Sequence, residues 1–189
     1  MSPILGIYAS QISGHLWAPS GAYDSIATTT LSTATASITF SSIPATYTHL
    51  QVRGIMRSDR AGQPKDQLRM TFNSDTGSNY VAHYLSGDGA TAASAANTGL
   101  PFINNNSVTG ATSAASIFGV VVMDILDYTN TNKYTTVRFL SGYDTNGAGT
   151  VELDSGLWLN TAAITNINIA TIGNLVQYSS LALYGIKGA

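Results

Sequence analysis

Apolar and polar residues alternate along most of this chain, with the period of two that marks β-strands. The pattern is densest from Ala115 to Tyr143, which reads ASIFGVVVMDILDY, then TNTNK, then YTTVRFLSGY. Two runs of β-branched and aromatic residues flank a bend of Thr and Asn, whose side chains hydrogen-bond locally and tolerate turn geometry. A long antiparallel hairpin follows, with strands over 116–126 and 133–141. Its first arm is apolar on both faces: Phe118, Val120 and Val122 lie on one, Val121, Met123 and Ile125 on the other. Such a strand belongs inside a sheet, covered on each side by its own domain or by another subunit. Val120 and Val122 are expected to face the core.

The remaining strands are shorter. Residues 23–31 and 36–40 are Thr-rich and alternating, and Pro44 follows the second. Over 49–57, Leu50, Val52 and Met56 point one way while Gln51, Arg53 and Arg57 point the other. Leu68, Met70 and Phe72 share a face, as do Ile167 and Ile169, and Leu181 and Leu183. Residues 80–85 suit a strand or a single helical turn, and 150–159 a further strand. The segment 87–113 is mostly Ala, Ser, Thr, Asn and Gly, and is expected to be a long irregular loop of the functional or mobile kind. No stretch has a helical period. The expected fold is all-β: a two-sheet antiparallel β-sandwich, jelly-roll-like, of about eight or nine strands. Residues 1–20 are assigned to an N-terminal arm or docking segment, and 21–189 to a single sandwich domain.

Composition sharpens this picture. Only 10% of residues are charged and the net charge is −2, so no global field exists to attract nucleic acid or an anionic membrane. A surface of small neutral groups keeps a monomer soluble poorly, so much of it is expected to be covered by neighbours, in a homo-oligomer with a trimer first. Without cysteine there is no disulfide framework and no thiolate chemistry. The N-terminus lacks the basic flank and long apolar core of a signal peptide, and the apolar run at 117–126 is too short for a membrane-spanning helix.

Candidate chemistry is thin. His15, His49 and His83 fall in different elements, and no metal-binding, phosphate-loop or nucleophile motif occurs, so no catalytic residue, cofactor or metal site is expected. Asp75, Asp88 and Asp144 sit in Gly/Asn turns, where turn chemistry outweighs Ca²⁺ binding. Trp17 and Trp158 are sugar-stacking candidates, but Trp158 lies between Leu157 and Leu159 and reads as packing. Asp124, Asp127, Asp144, Glu152 and Asp154 are a weak candidate cluster for a pair of glycan-cleaving carboxylates. Two stretches are candidates for partner binding. One is the apolar Ile4, Leu5, Ile7 and Tyr8. The other is a basic strip of Arg53, Arg57 and Arg69, contiguous if their strands pair, accompanied by Arg60, Lys65, Asp59 and Asp66.

The segments ILGIYASQ, THLQVRGIMRSDR, FNSDTGSNYVAHYLSGDG, SIFGVVVMDILDYTNTNKYTTVRFLSGYD, SGLWLN and VQYSSLALYGIK together resemble a family of virion structural proteins of tailed phages of aquatic bacteria. The resemblance runs from about residue 4 to residue 187, with 87–113 least alike, and DILDYTNTNKY and YSSLALYGIK are its most specific parts. It implies a β-rich, non-enzymatic particle component, made in the host bacterial cytoplasm and located in the virion. A capsid decoration (cement) protein on the outside of the major capsid lattice is the first expectation. A tail, baseplate or fibre-tip component binding host surface glycan is the alternative. The expected partners are further copies of itself and the major capsid protein or other virion proteins.

Overall fold

The structure, a computed structural model, describes residues 22–188, with only the backbone at 105–107. Strand-forming runs separated by turn residues give β1 (Tyr23–Thr30), β2 (Thr35–Phe40), β3 (His49–Met56), β4 (Lys65–Phe72), β5 (Tyr80–Gly87) and β6 (Ala92–Leu100). They continue as β7 (Ile103–Thr109), β8 (Gly119–Ile125), β9 (Thr135–Asp144), β10 (Gly149–Trp158), β11 (Ile167–Leu175) and β12 (Ser180–Ile186). No helix occurs among the described residues.

The strands form an eight-stranded sheet, β1-β12-β3-β8-β9-β10-β5-β6, facing a four-stranded one, β2-β11-β4-β7. All neighbours pair antiparallel. Setting aside the hairpins β5–β6 and β9–β10 leaves nested pairs, β1 with β12, β2 with β11, β3 with β8 and β4 with β7, which alternate between the sheets. That is a jelly roll. The two extra hairpins widen the large sheet to twice as many strands as the small one.

The hairpin expected at 116–126 and 133–141 is β8–β9, in register from Val120 opposite Gly142 to Ile125 opposite Val137. Its faces are the reverse of expectation. Val121, Met123 and Ile125 are buried, while Val120 is 54% exposed and Val122 half-buried. The cause lies in the next strand. Leu50 stands opposite Ile125 and Val52 opposite Met123, all four fully buried, so the larger pair completes a cross-strand cluster. Each such side chain contributes roughly 1.5–3 kcal/mol by leaving water.

The strand count also differs. Twelve strands replace eight or nine because 80–85, left open between strand and helical turn, is the strand β5, and 87–113 holds β6 and β7 instead of an irregular loop. β6 is an edge strand with nearly every residue exposed, so nothing imposes an apolar alternation on its sequence. β7 packs across β5, β8, β9 and β10 on the inner face. Its Ile103 occupies the space beside Gly156, where a Cβ would lie 2.5 Å from Ile103 Cγ2.

At the far end of the core, Trp158 stacks on Tyr80 with ring centres 6.4 Å apart and leans on Phe72 at 5.5 Å. The Tyr80 hydroxyl accepts from the Phe72 amide at 3.0 Å and donates to the Asp75 carbonyl at 3.0 Å. Burial pushes its phenol up to about 12. Asn73, at φ 50° in the β4–β5 turn, accepts from the amides of Thr165 and Asn166 and donates to the Ala163 carbonyl. One left-handed Asn thereby ties that turn to the β10–β11 connection.

Candidate interaction surface

Burying Trp158 fixes the parity of β10. Thr150, Glu152, Asp154 and Gly156 must then face inward with it, and Val151 and Leu153 outward. On β9, burial of Val137 and Phe139 sends Arg138 and Leu140 outward. The extended part of the sheet therefore inverts the usual polarity. Its inner side carries buried Ser141, Thr150, Glu152 and Asp154, with Lys65 Nζ 3.9 Å from Glu152, and its outer side carries aliphatic residues.

These aliphatic residues are neighbours. Across the sheet, Val122 stands opposite Leu140, Leu140 opposite Leu153, and Leu153 opposite Leu85. In the adjoining row Ile55 stands opposite Val120, Val120 opposite Gly142, Gly142 opposite Val151, and Val151 opposite Gly87. Ile55, Leu85, Val120, Leu140, Val151 and Leu153 are each 46–63% exposed. Phe118 and Gly142 help line a hollow of about 600 Å³ within the patch.

A polar row borders it. Gln51, Asp124, Arg138, Ser155 and His83 follow one another from β3 to β5. Gln51 Nε2 donates to Asp124 Oδ1 at 2.6 Å, and Arg53 Nε donates to Gln51 Oε1. The Arg53 guanidinium lies 5.4 Å from the ring centre of Tyr23 and 6.0 Å from that of Tyr184.

The basic strip expected from Arg53, Arg57 and Arg69 does not exist as one surface. β3 and β4 belong to different sheets, so they do not pair. Arg57 donates to the carbonyls of Ala111, Ser113, Ala114 and Ile117 at 2.7–3.2 Å and holds that loop in place. Arg69 is on the small sheet, bonded to Gln67 and 4.5 Å from the Phe102 ring centre. Arg60 pairs with buried Asp66 at 3.3 Å. Ile4, Leu5, Ile7 and Tyr8, the rest of the proposed arm at 1–20, and with them His15 and Trp17, lie outside the described residues.

The turn aspartates serve their turns. Asp75 accepts from Trp158 Nε1 at 2.8 Å, from Asn79 and from the Gly77 amide, and the Trp158 bond leads in holding its carboxyl below the usual range. Asp88 accepts from the Ala90 and Thr91 amides, which lower it likewise. Asp144 accepts from Asn146. Asp127 is lowered chiefly by its bond to Lys133, and its amide donates to His49 Nδ1 at 2.9 Å. Asp124 faces out while Glu152 and Asp154 face in, so the acidic residues are not gathered in one groove. No cluster of three or more His, Asp or Glu suited to a metal occurs among the described residues. His83 is exposed on β5. A small open cleft of about 290 Å³ lies between the β5–β6 and β9–β10 turns, lined by Asp88, Tyr143 and Asp144 among others.

Compared with known proteins, the chain matches no family model and no curated protein. No helix among the described residues is long and apolar enough to cross a membrane.

Proposed function

We propose that this protein is a non-enzymatic structural component of a bacteriophage virion, a capsid decoration protein bound outside the major capsid lattice. The observation that carries the reading is the outer face of the eight-stranded sheet: broad, apolar and uncharged at its centre, while carboxylates are buried beneath it. A surface of that kind is built to be covered. Three further facts support the reading. The fold is one that recurs in virus particles. Charge is scarce. The sequence segments quoted above resemble those of phage virion proteins. On this reading the partners are further copies of the chain and the major capsid protein, with no nucleic acid, membrane or cofactor involved.

The cleft between the β5–β6 and β9–β10 turns favours a second reading, a tail or fibre-tip component that grips host glycan with Tyr143, Asp88 and Asp144 at the loop tips. Immunogold electron microscopy of purified particles separates the two. Decoration predicts label spread evenly over the head; label confined to the tail would reverse the order of the readings.

A further inference from the structure

We infer that the apolar outer face of the eight-stranded sheet is the surface on which a second copy of this chain docks. The inference deepens the virion reading by assigning one surface to self-association, and it rests on three features of that face.

The first is area. Six aliphatic side chains, each exposing roughly 100 Å², form a patch on the order of 600 Å², at the top of the range for monomers and close to the roughly 800 Å² each partner contributes to a standard interface.

The second is shape. Val122, Leu140, Leu153 and Leu85 form a ridge across four adjacent strands. The next row alternates side chain and gap, with Val120 and Val151 separated by Gly142 and followed by Gly87. A two-fold axis running along the strands between β8 and β9 sets Val120 of each copy over the gap at Gly142 of the other, and Val122 against Leu140. Two sheets stacked in this way lie about 10 Å apart, the spacing at which aliphatic side chains interdigitate.

The third is charge. The polar border places Asp124 directly opposite Arg138 on the neighbouring strand, so it carries both signs. A second copy brings Arg138 to Asp124 and Asp124 to Arg138.

The test is the mass of the full chain in solution by light scattering, for wild type and for variants at exposed positions. Wild type is expected to be oligomeric at micromolar concentration. Leu140→Asp/Leu153→Asp should raise the dissociation constant by roughly a hundredfold or more and give a monomer with the wild-type circular dichroism spectrum. The milder Leu140→Ser/Leu153→Ser pair should do the same, and keeps the test decisive if the aspartates disturb folding. Ile172→Asp, at an exposed position on the small sheet, should keep the wild-type mass. A wild-type protein still monomeric at roughly 100 μM overturns the inference. So do folded Leu140/Leu153 variants that retain the wild-type mass, because the oligomer would then use another surface. A monomer that nevertheless coats particles leaves the virion reading standing. An oligomer absent from particles leaves the self-docking face standing.

Discussion

Replacing Val121 and Val122 by Asp, one at a time, sets two neighbours on one strand against each other. Val121 is 3% exposed and points between the sheets. Val121→Asp forfeits roughly 1.5–3 kcal/mol of apolar burial and strands a carboxylate there at a cost of several more. Together these reach about 5 kcal/mol, comparable with the whole stability of an ordinary domain at about 5–15 kcal/mol. Val122 is half-buried on the outer face, with Arg53 directly across on β3 and Leu140 on β9. An aspartate there keeps contact with water and gains a cation beside it, so Val122→Asp should change stability by no more than about 1 kcal/mol. Urea unfolding followed by circular dichroism at low protein concentration separates the two. Val121→Asp should be insoluble or unfolded, and Val122→Asp should unfold near wild type. The opposite result would refute the register of β8, and with it the outward assignment of Leu140, Leu153 and Leu85, because a one-residue slip moves every side chain to the other face.

Further outcomes follow from particular contacts. Asp75→Ala leaves the buried Trp158 indole N–H without its acceptor and should cost about 1–3 kcal/mol in urea unfolding. Because the folded state lowers the Asp75 carboxyl from its ordinary 3.8, its contribution is complete above that value and lost as pH falls through the lower folded value. Wild type should therefore lose more stability than Asp75→Ala below about pH 4. Arg57→Ala removes the donor shared by four loop carbonyls and should cost about 2–3 kcal/mol, with new protease cleavage between 111 and 117. The oligomer should keep its mass in light scattering at about 1 M salt, since screening weakens only exposed charge pairs.

Much of the fold was legible in the sequence where one face of a strand is buried and the other is not. The alternation at Leu50, Val52 and Met56, at Leu68, Met70 and Phe72, and at Leu181 and Leu183 marks core positions that are all buried. Alternation could not resolve β8, because a strand apolar on both faces carries no parity of its own; its neighbours Leu50 and Val52 decide which side is the core. It could not reveal β6, whose exposed small residues obey no pattern.

The candidate surface was only half visible. The sequence required both sides of β8 to be covered, by its own domain or by another subunit, yet it placed Val120 and Val122 on the core side. The missing signal was present at β10. Trp158 shares parity with Glu152 and Asp154, so a buried tryptophan turns Val151 and Leu153 to the outside. The arginine strip depended on consecutive strands pairing, whereas a jelly roll sends consecutive strands β3 and β4 to opposite sheets.

Copy number decides whether this chain is, as proposed, a repeated structural part of a phage particle, and quantitative mass spectrometry of purified particles reads it. Copies per particle are measured against the major capsid protein. A decoration protein following the head lattice should be present in the hundreds, because a closed symmetric lattice repeats each site many times. A few to a few tens of copies, or none, would contradict it.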